Sequence, residues 1–335
     1  MKLSLKIMFS FLLLSVLLFS MSVFAEYPER PITIICFSSP GGGTDTVDRA
    51  LAAAMEEELG VTVNVVNMPG GMGGIAAGYV WEKPHDGYTL LGASESIEII
   101  PVMAAHHTTT KDWEYFMVMG CEGVVCVHKD SPYNTFNDLI KDMKERPNQI
   151  KVAAASAGGI WHIKFALLSK YADVKPKMIS YPGSAPSIQA CLAKEVDVVH
   201  VSTGEAASYV EAGQFRPLVM IEKEAFLKYP NLKVPPITDF YPDIAKELPV
   251  PQWLGAMIPS DTPKPIIETL NNAFIKAMES KKIDDLAKLT YATKHGLYGE
   301  SAKKMAQKIE SQFCWTLQDL GIAEKSPALF DIPKP

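Results

Sequence analysis

The stretch from Ile32 to Leu59 constrains the fold most. An apolar, β-branched run at 32–38 (ITIICFS) leads directly into Ser39-Pro40-Gly41-Gly42-Gly43. A helical pattern follows over 44–59, with Val47, Leu51, Met55 and Leu59 at i, i+4 spacing on one face. The same alternation continues with a strand at 61–66, a helix at 72–82 and a strand at 89–93. Strand, crossover helix and strand at this spacing make a βαβ unit, and hence a parallel sheet.

A second series starts at residue 151. It reads as strand 151–155, helix 160–171, strand 177–181, helix 185–194, strand 196–201, helix 204–212 and strand 217–221. The last third reads as mostly helical, over 265–279, 283–289 and 301–320. Two βαβ series predict an α/β protein of two lobes. The first lobe takes 26–122 plus 223–335 and the second takes 123–222. Two chain crossings between lobes form a hinge, and the cleft between the lobes is the natural ligand site.

Residues 1–25 read as a secretory signal peptide. Lys2 and Lys6 precede an apolar run from Ile7 to Phe24, and Val23-Phe24-Ala25 provides a small-residue cleavage site after Ala25. The expected location is therefore the periplasm. Cleavage removes two lysines and moves the formal charge from −6 to −8. No basic block is present to track a phosphate backbone, so nucleic acid is a poor partner. Five cysteines (Cys36, Cys121, Cys126, Cys191 and Cys314) follow the signal. None has metal-ligand spacing, and the simplest reading is small buried apolar residues.

The candidate chemistry lies at the strand ends. Ser38-Ser39-Pro40-Gly41-Gly42-Gly43-Thr44-Asp45 sits between a strand's carboxyl end and a helix N-terminus, where ligands of open α/β sheets bind. Unpaired N–H groups and the helix dipole make such a place attractive to anions, and glycine lets a ligand approach the backbone. No Lys-Ser/Thr pair follows the glycines, so this is no P-loop, and a carboxylate fits better than a phosphate. Ser38, Ser39, Gly41, Gly42, Gly43 and Thr44 are candidates for ligand contact. Asp45 is a candidate too, although a carboxylate there reads more readily as a cap that stiffens the loop. The second lobe repeats the device in Ser156-Ala157-Gly158-Gly159-Ile160-Trp161-His162. Trp161 either walls the ligand or anchors the core, and His162 reads first as a structural histidine. Three further turns at strand ends supply Glu95 and Ser96, then Tyr181 and Gly183, then Thr203 and Glu205.

An enzyme reading finds little support. No GxSxG elbow and no HExxH motif occurs. His106 and His107 are adjacent, so in a helix or a strand their rings diverge. No cofactor is called for.

Taken in order, these motifs resemble the substrate-binding receptors of tripartite tricarboxylate transporters, the Bug or TctC-like family. The matching pieces are Tyr27-Pro28 with Arg30-Pro31-Ile32, the GGGTD loop at 41–45, the N.PG..G run at 67–74 and P.DGYTLL at 84–91. SAGGIWH, YPGSAPSIQA, AGQFRPL at 212–218 and the C-terminal IPSDTPKPIIETLNNAF follow in order. The resemblance implies a two-lobed type II periplasmic-binding (Venus flytrap) fold without catalysis. It implies a small carboxylate held by backbone N–H groups of the loops 38–45 and 156–162, often with ordered water. It also implies a two-subunit membrane permease as partner and a receptor that works as a monomer. A receptor presenting the ligand to a membrane sensor, or an exported α/β enzyme acting on a carboxylic acid, are the alternatives. Gly159-Ile160-Trp161 is bulkier than is usual in the family. Glu95 and Glu205 stand where neutral residues are expected. They meet either a positive group on the ligand or, more plainly, water at the rim.

Overall fold

The computed structural model describes residues 27–155, 157–248 and 251–335. The expected signal peptide and Ser156 lie outside them. Two sheets organise the chain. The first is built from β1 (Ile32–Cys36), β2 (Val63–Asn67), β3 (Thr89–Ser94) and β4 (Trp113–Gly120), joined late by β10 (Leu254–Pro259) and β11 (Thr293–Tyr298). Its order is β2-β1-β3-β10-β4-β11. The second is built from β5 (Gly123–His128), β6 (Lys151–Ala155), β7 (Lys177–Tyr181), β8 (Val198–Ser202) and β9 (Phe215–Met220), in the order β7-β6-β8-β5-β9.

The parallel pairing expected from the βαβ pattern holds for β1 with β2 and β3, and for β6 with β7 and β8. The remaining strands correct the sequence reading. The three expected C-terminal helices are present, but two unexpected strands join them: β10 runs antiparallel between β3 and β4, and β11 pairs antiparallel along the edge. β10 is buried along its whole length, so its sequence (LGAMIP) shows no alternation to mark it as a strand. β11 (TKHGLY) is a largely polar edge with a register shift, and polar edges carry little hydrophobic signal. β5 likewise lies antiparallel between β8 and β9.

Helix α1 (Gly43–Leu59) makes the β1–β2 crossover and ends at Gly60, whose φ of +68° is the left-handed conformation that glycine accepts without a Cβ penalty. Its apolar face buries Val47, Leu51 and Met55 against Ile32, Ile34, Leu270 and Phe274. Each such side chain contributes roughly 1.5–3 kcal/mol on burial. A short α2 (Gly74–Trp81) connects β2 to β3. In the second lobe α3 (Phe136–Glu145), α4 (Ile160–Ala172), α5 (Ser184–Leu192) and α6 (Thr203–Glu211) cover the sheet. α7 (Lys264–Met278), α8 (Lys281–Leu289) and α9 (Gly299–Asp319) complete the first lobe.

The crossing out of the first sheet runs beside the return to it ahead of β10. The chain passes from β4 to β5 within Cys121 and Glu122. There Cys121 N–H donates to Gln252 Oε1 at 2.9 Å, and a Cβ on Gly120 would lie 2.0 Å from the Gln252 carbonyl oxygen. That approach admits only glycine. All five cysteines are buried and none forms a disulfide. His106 and His107 sit in a loop rather than in a helix or strand. Their rings therefore lie together, tilted at 39° with centroids 4.3 Å apart, instead of diverging. Among the described residues no helix is long and apolar enough to cross a membrane.

Candidate functional site

A cavity of about 390 Å³ lies between the lobes, at the carboxyl ends of β1, β3, β6 and β7. Both loops singled out in the sequence reach it. In the first, Gly42 is the N-cap of α1 in extended conformation, with no side chain capping the helix. The loop is braced from behind. Gly41, at φ +79°, donates its N–H to Asp45 Oδ2 at 2.9 Å, and Asn67 Nδ2 donates to Asp45 Oδ1 at 2.7 Å and to the Ser38 carbonyl at 3.0 Å. Arg49 pairs with the same carboxylate at 2.9 Å. Burial pushes the Asp45 carboxyl up, but the bonds from Arg49, Gly41 and Asn67 outweigh it and hold it below the ordinary range. Asp45 is thus a buried brace and does not line the cavity.

In the second loop Gly159 is the N-cap of α4, again extended and without a side-chain cap, and the first turn carries no acid. Gly158, at φ +77°, donates its N–H to His162 Nδ1 at 2.8 Å. Burial pushes the His162 ring down, which keeps it the neutral acceptor that this bond needs. Trp161 packs in the core and also faces the cavity. It is 3% exposed and packs its ring against His200 at 5.3 Å, while the carbonyl accepts from His200 Nδ1 at 2.8 Å. It also lines the cavity. Gly123 of β5 makes the space, because a Cβ there would come within 2.7 Å of the indole.

The two acids are not rim groups pointing to water. Glu95, just after β3, is 1% exposed. Its Oε1 accepts from Ser96 Oγ at 3.2 Å and Ser94 Oγ at 3.4 Å, and its Oε2 accepts from Trp253 N–H at 3.3 Å. Burial pushes its carboxyl up to about 7. Glu205 closes a capping box on α6, with Oε2 accepting from Ser202 Oγ at 2.8 Å and Ser202 N–H at 3.3 Å. Its other oxygen, Oε1, accepts the Gly43 N–H across the cleft at 3.3 Å. Ser39 Oγ makes a second interlobe bond, donating to the Pro182 carbonyl at 3.2 Å.

Of the residues read from the sequence, Ser38, Ser39, Gly42, Gly43 and Thr44 line the cavity from the first loop. Glu95 and Ser96 line it beside them. Ala157, Gly159, Trp161, Tyr181, Gly183 and Glu205 line it from the second lobe. Gly41, Asp45, Gly158 and His162 act one layer behind as loop braces. Thr203 is buried, with its carbonyl accepting from Tyr229 Oη–H at 2.6 Å. Ser156 lies outside the described residues.

The sequence reading missed the turn Pro69–Gly73, Phe37 and the pair Gln252 and Leu254, all of which line the cavity. Pro69–Gly73 follows β2 as the other loops follow their strands, so the same small-residue signal was available there. Gln252 and Leu254 arrive with β10, the strand that the sequence did not disclose.

Comparison with known proteins agrees with this architecture. The family model described as the tripartite tricarboxylate transporter family receptor matches residues 47–313. The chain is similar to the protein BugT of Bordetella pertussis, at 27% identity over 265 residues, covering 77% of this chain and 79% of BugT. Among solved structures it resembles an R. palustris protein with adipate, at TM-score 0.78 and 24% identity over 89% of this chain and 99% of that one. It also resembles MatC from Rhodopseudomonas palustris with bound malate, at TM-score 0.75 and 22% identity over 87% and 100%. These likenesses show the two-lobed periplasmic-binding fold.

Proposed function

The chain belongs to the tripartite tricarboxylate transporter family of receptors, and on that premise we propose that it captures a small carboxylate in the interlobe cavity and delivers it to a two-subunit membrane permease. The carrying observation is that α1 and α4, from different lobes, turn their N-termini to one cavity, α4 with no side-chain cap and no first-turn acid, and α1 with its Gly43 N–H taken by Glu205. Their first-turn N–H groups and dipoles favour a negative group there. Ser38, Ser39, Gly42, Gly43 and Thr44 on one side, and Ala157, Gly159 and Trp161 on the other, are the contact residues in this reading. Two structural relatives, holding malate and adipate, are consistent with an acid of this size. The expected form is a periplasmic protein, cut after Ala25, that works as a monomer without catalysis.

The test is thermal denaturation of the secreted protein against mono-, di- and tricarboxylates, amino acids, neutral sugars and phosphate esters. An acid at about a hundred times its Kd adds about 2.7 kcal/mol to the folded state. A rise for one carboxylate class supports the reading. Shifts confined to neutral or phosphorylated solutes overturn it.

A further inference from the structure

We propose that Glu205 selects a ligand that carries a cationic group together with its carboxylate, placing the cation beside Glu205 and the carboxylate at the N-terminus of α4. The proposal rests on the carboxylate reading above and names the ligand class more closely. Its first support is the charge inventory of the cavity. Glu95 and Glu205 line it, and no Lys, Arg or His does among the described residues. The nearby bases are already matched. Lys164 is buried and paired with Glu222, and Arg49 pairs with Asp45 behind the first loop. A plain dianion entering this space meets acids and no compensating cation.

The second support is that Glu205 is fixed. Its Oε2 belongs to the capping box of α6, so the carboxylate cannot swing away without breaking its bonds to Ser202 N–H and Oγ–H, the reciprocal half of that box. The box uses one oxygen, which leaves Oε1 facing the cleft, where it takes the Gly43 N–H. That bond also sets the ligand's direction. The N-terminus of α1 is already answered by a negative group, whereas the first turn of α4 carries no acid and no side-chain cap. The carboxylate of a bound molecule therefore goes to α4, and the end near α1 and Glu205 takes a positive charge. A charge-assisted N–H···O bond to Glu205 is the interaction that a des-amino analogue lacks.

Matched acids with and without an amine test this. Calorimetric titration with succinate and aspartate, glutarate and glutamate, and adipate and 2-aminoadipate compares the same carbon skeleton in each pair. In the wild-type chain the amino member of at least one pair binds about tenfold tighter or more than its partner. In Glu205→Gln that preference falls to within about threefold and the plain acid gains. Glutamine serves equally at this position of a capping box, and an unchanged melting temperature confirms that the variant folds. A wild-type chain that binds the plain acids as tightly as the amino acids overturns the proposal and leaves the carboxylate reading standing. So does a preference that survives in Glu205→Gln. Binding of acids by the variant alone, with neither amino nor plain acids binding the wild type, also overturns it and makes Glu205 an internal competitor. No binding of any acid to either protein sinks both readings together.

Discussion

Trp253 Nε1 donates to Glu98 Oε1 at 2.9 Å, tying β10's approach to the turn after β3 in a fully buried position. The second Glu98 oxygen has no partner among the described residues. Burial therefore pushes the Glu98 carboxyl well above its ordinary range, and the folded state keeps the proton. Glu95, Asp48 and Glu310 are raised by burial as well. The unfolded chain loses these protons above about pH 4.5, so between that value and the raised values the folded state binds more protons. These four carboxyls therefore contribute stability that falls as pH rises within this window, whereas His106, His162, His200 and His295, all pushed down by burial, contribute in the opposite sense up to about pH 6.5. For Glu95 alone, a carboxyl at about 7 in place of 4.5 amounts to roughly 3 kcal/mol. Above the histidine range the carboxyls act alone, so urea titrations at about pH 7 and about pH 8.5 should show the chain less stable at the higher pH. Glu98→Gln, which keeps an acceptor for Trp253, should flatten the slope. Equal slopes for variant and wild type would remove Glu98 from the account.

Lys164 is a buried charge on the second lobe. It is 1% exposed on α4 and pairs with Glu222, which also accepts the Gly123 N–H at 3.1 Å at the crossing. Removing one partner of such a pair leaves an uncompensated charge and costs about 3–5 kcal/mol. Lys164→Met is expected to lose that much in denaturant unfolding. Lys164→Met with Glu222→Gln should recover more than half, since no bare charge then remains. A double variant as unstable as the single one would show that packing, not charge, is what Lys164 supplies.

Much of this arrangement was legible from the sequence because the signals are local. The βαβ units follow from periodicity and turn residues within about thirty positions, and both Gly-rich loops stand where their strands end. β10 was not legible, because a fully buried strand of six residues has no alternation, and its two partners are more than a hundred residues earlier in the chain. The environments of the acids were hidden for the same reason. Ser94-Glu95-Ser96 reads as a solvated turn until Trp253 covers it, and a half of Glu205's role depends on Gly43, which is 162 residues away.

Trp161 joins fold and cavity, and the two roles separate by substitution. Trp161→Ala empties a site closed by His200 and Phe165 and should cost about 3–5 kcal/mol, as large aromatic truncations do. Trp161→Phe keeps most of the packing while widening the cavity wall. In titrations with acids of increasing length, the phenylalanine variant should shift its optimum to a longer chain. An unchanged length profile would mean that Trp161 only anchors the core.

Gly204 sets how closely the lobes approach. It lies in the first turn of α6, and a Cβ there would sit 2.5 Å from the Thr290 carbonyl oxygen of the first lobe and 3.0 Å from Thr290 Cβ. Alanine is the better helix former by about 1 kcal/mol, so the second lobe itself does not suffer. The obstruction falls on the contact between the lobes, because a backbone carbonyl cannot move aside cheaply. Apparent affinity scales with the population of the competent state, so reducing that population to about a tenth weakens binding about tenfold. Gly204→Ala should therefore bind its acid about tenfold more weakly, with an unliganded radius of gyration in X-ray scattering larger than that of the wild type. An expanded variant that binds as tightly as the wild type would break the link between this contact and ligand capture. A compact variant with weakened binding would point instead to a local shift of Glu205, which follows Gly204 directly in α6.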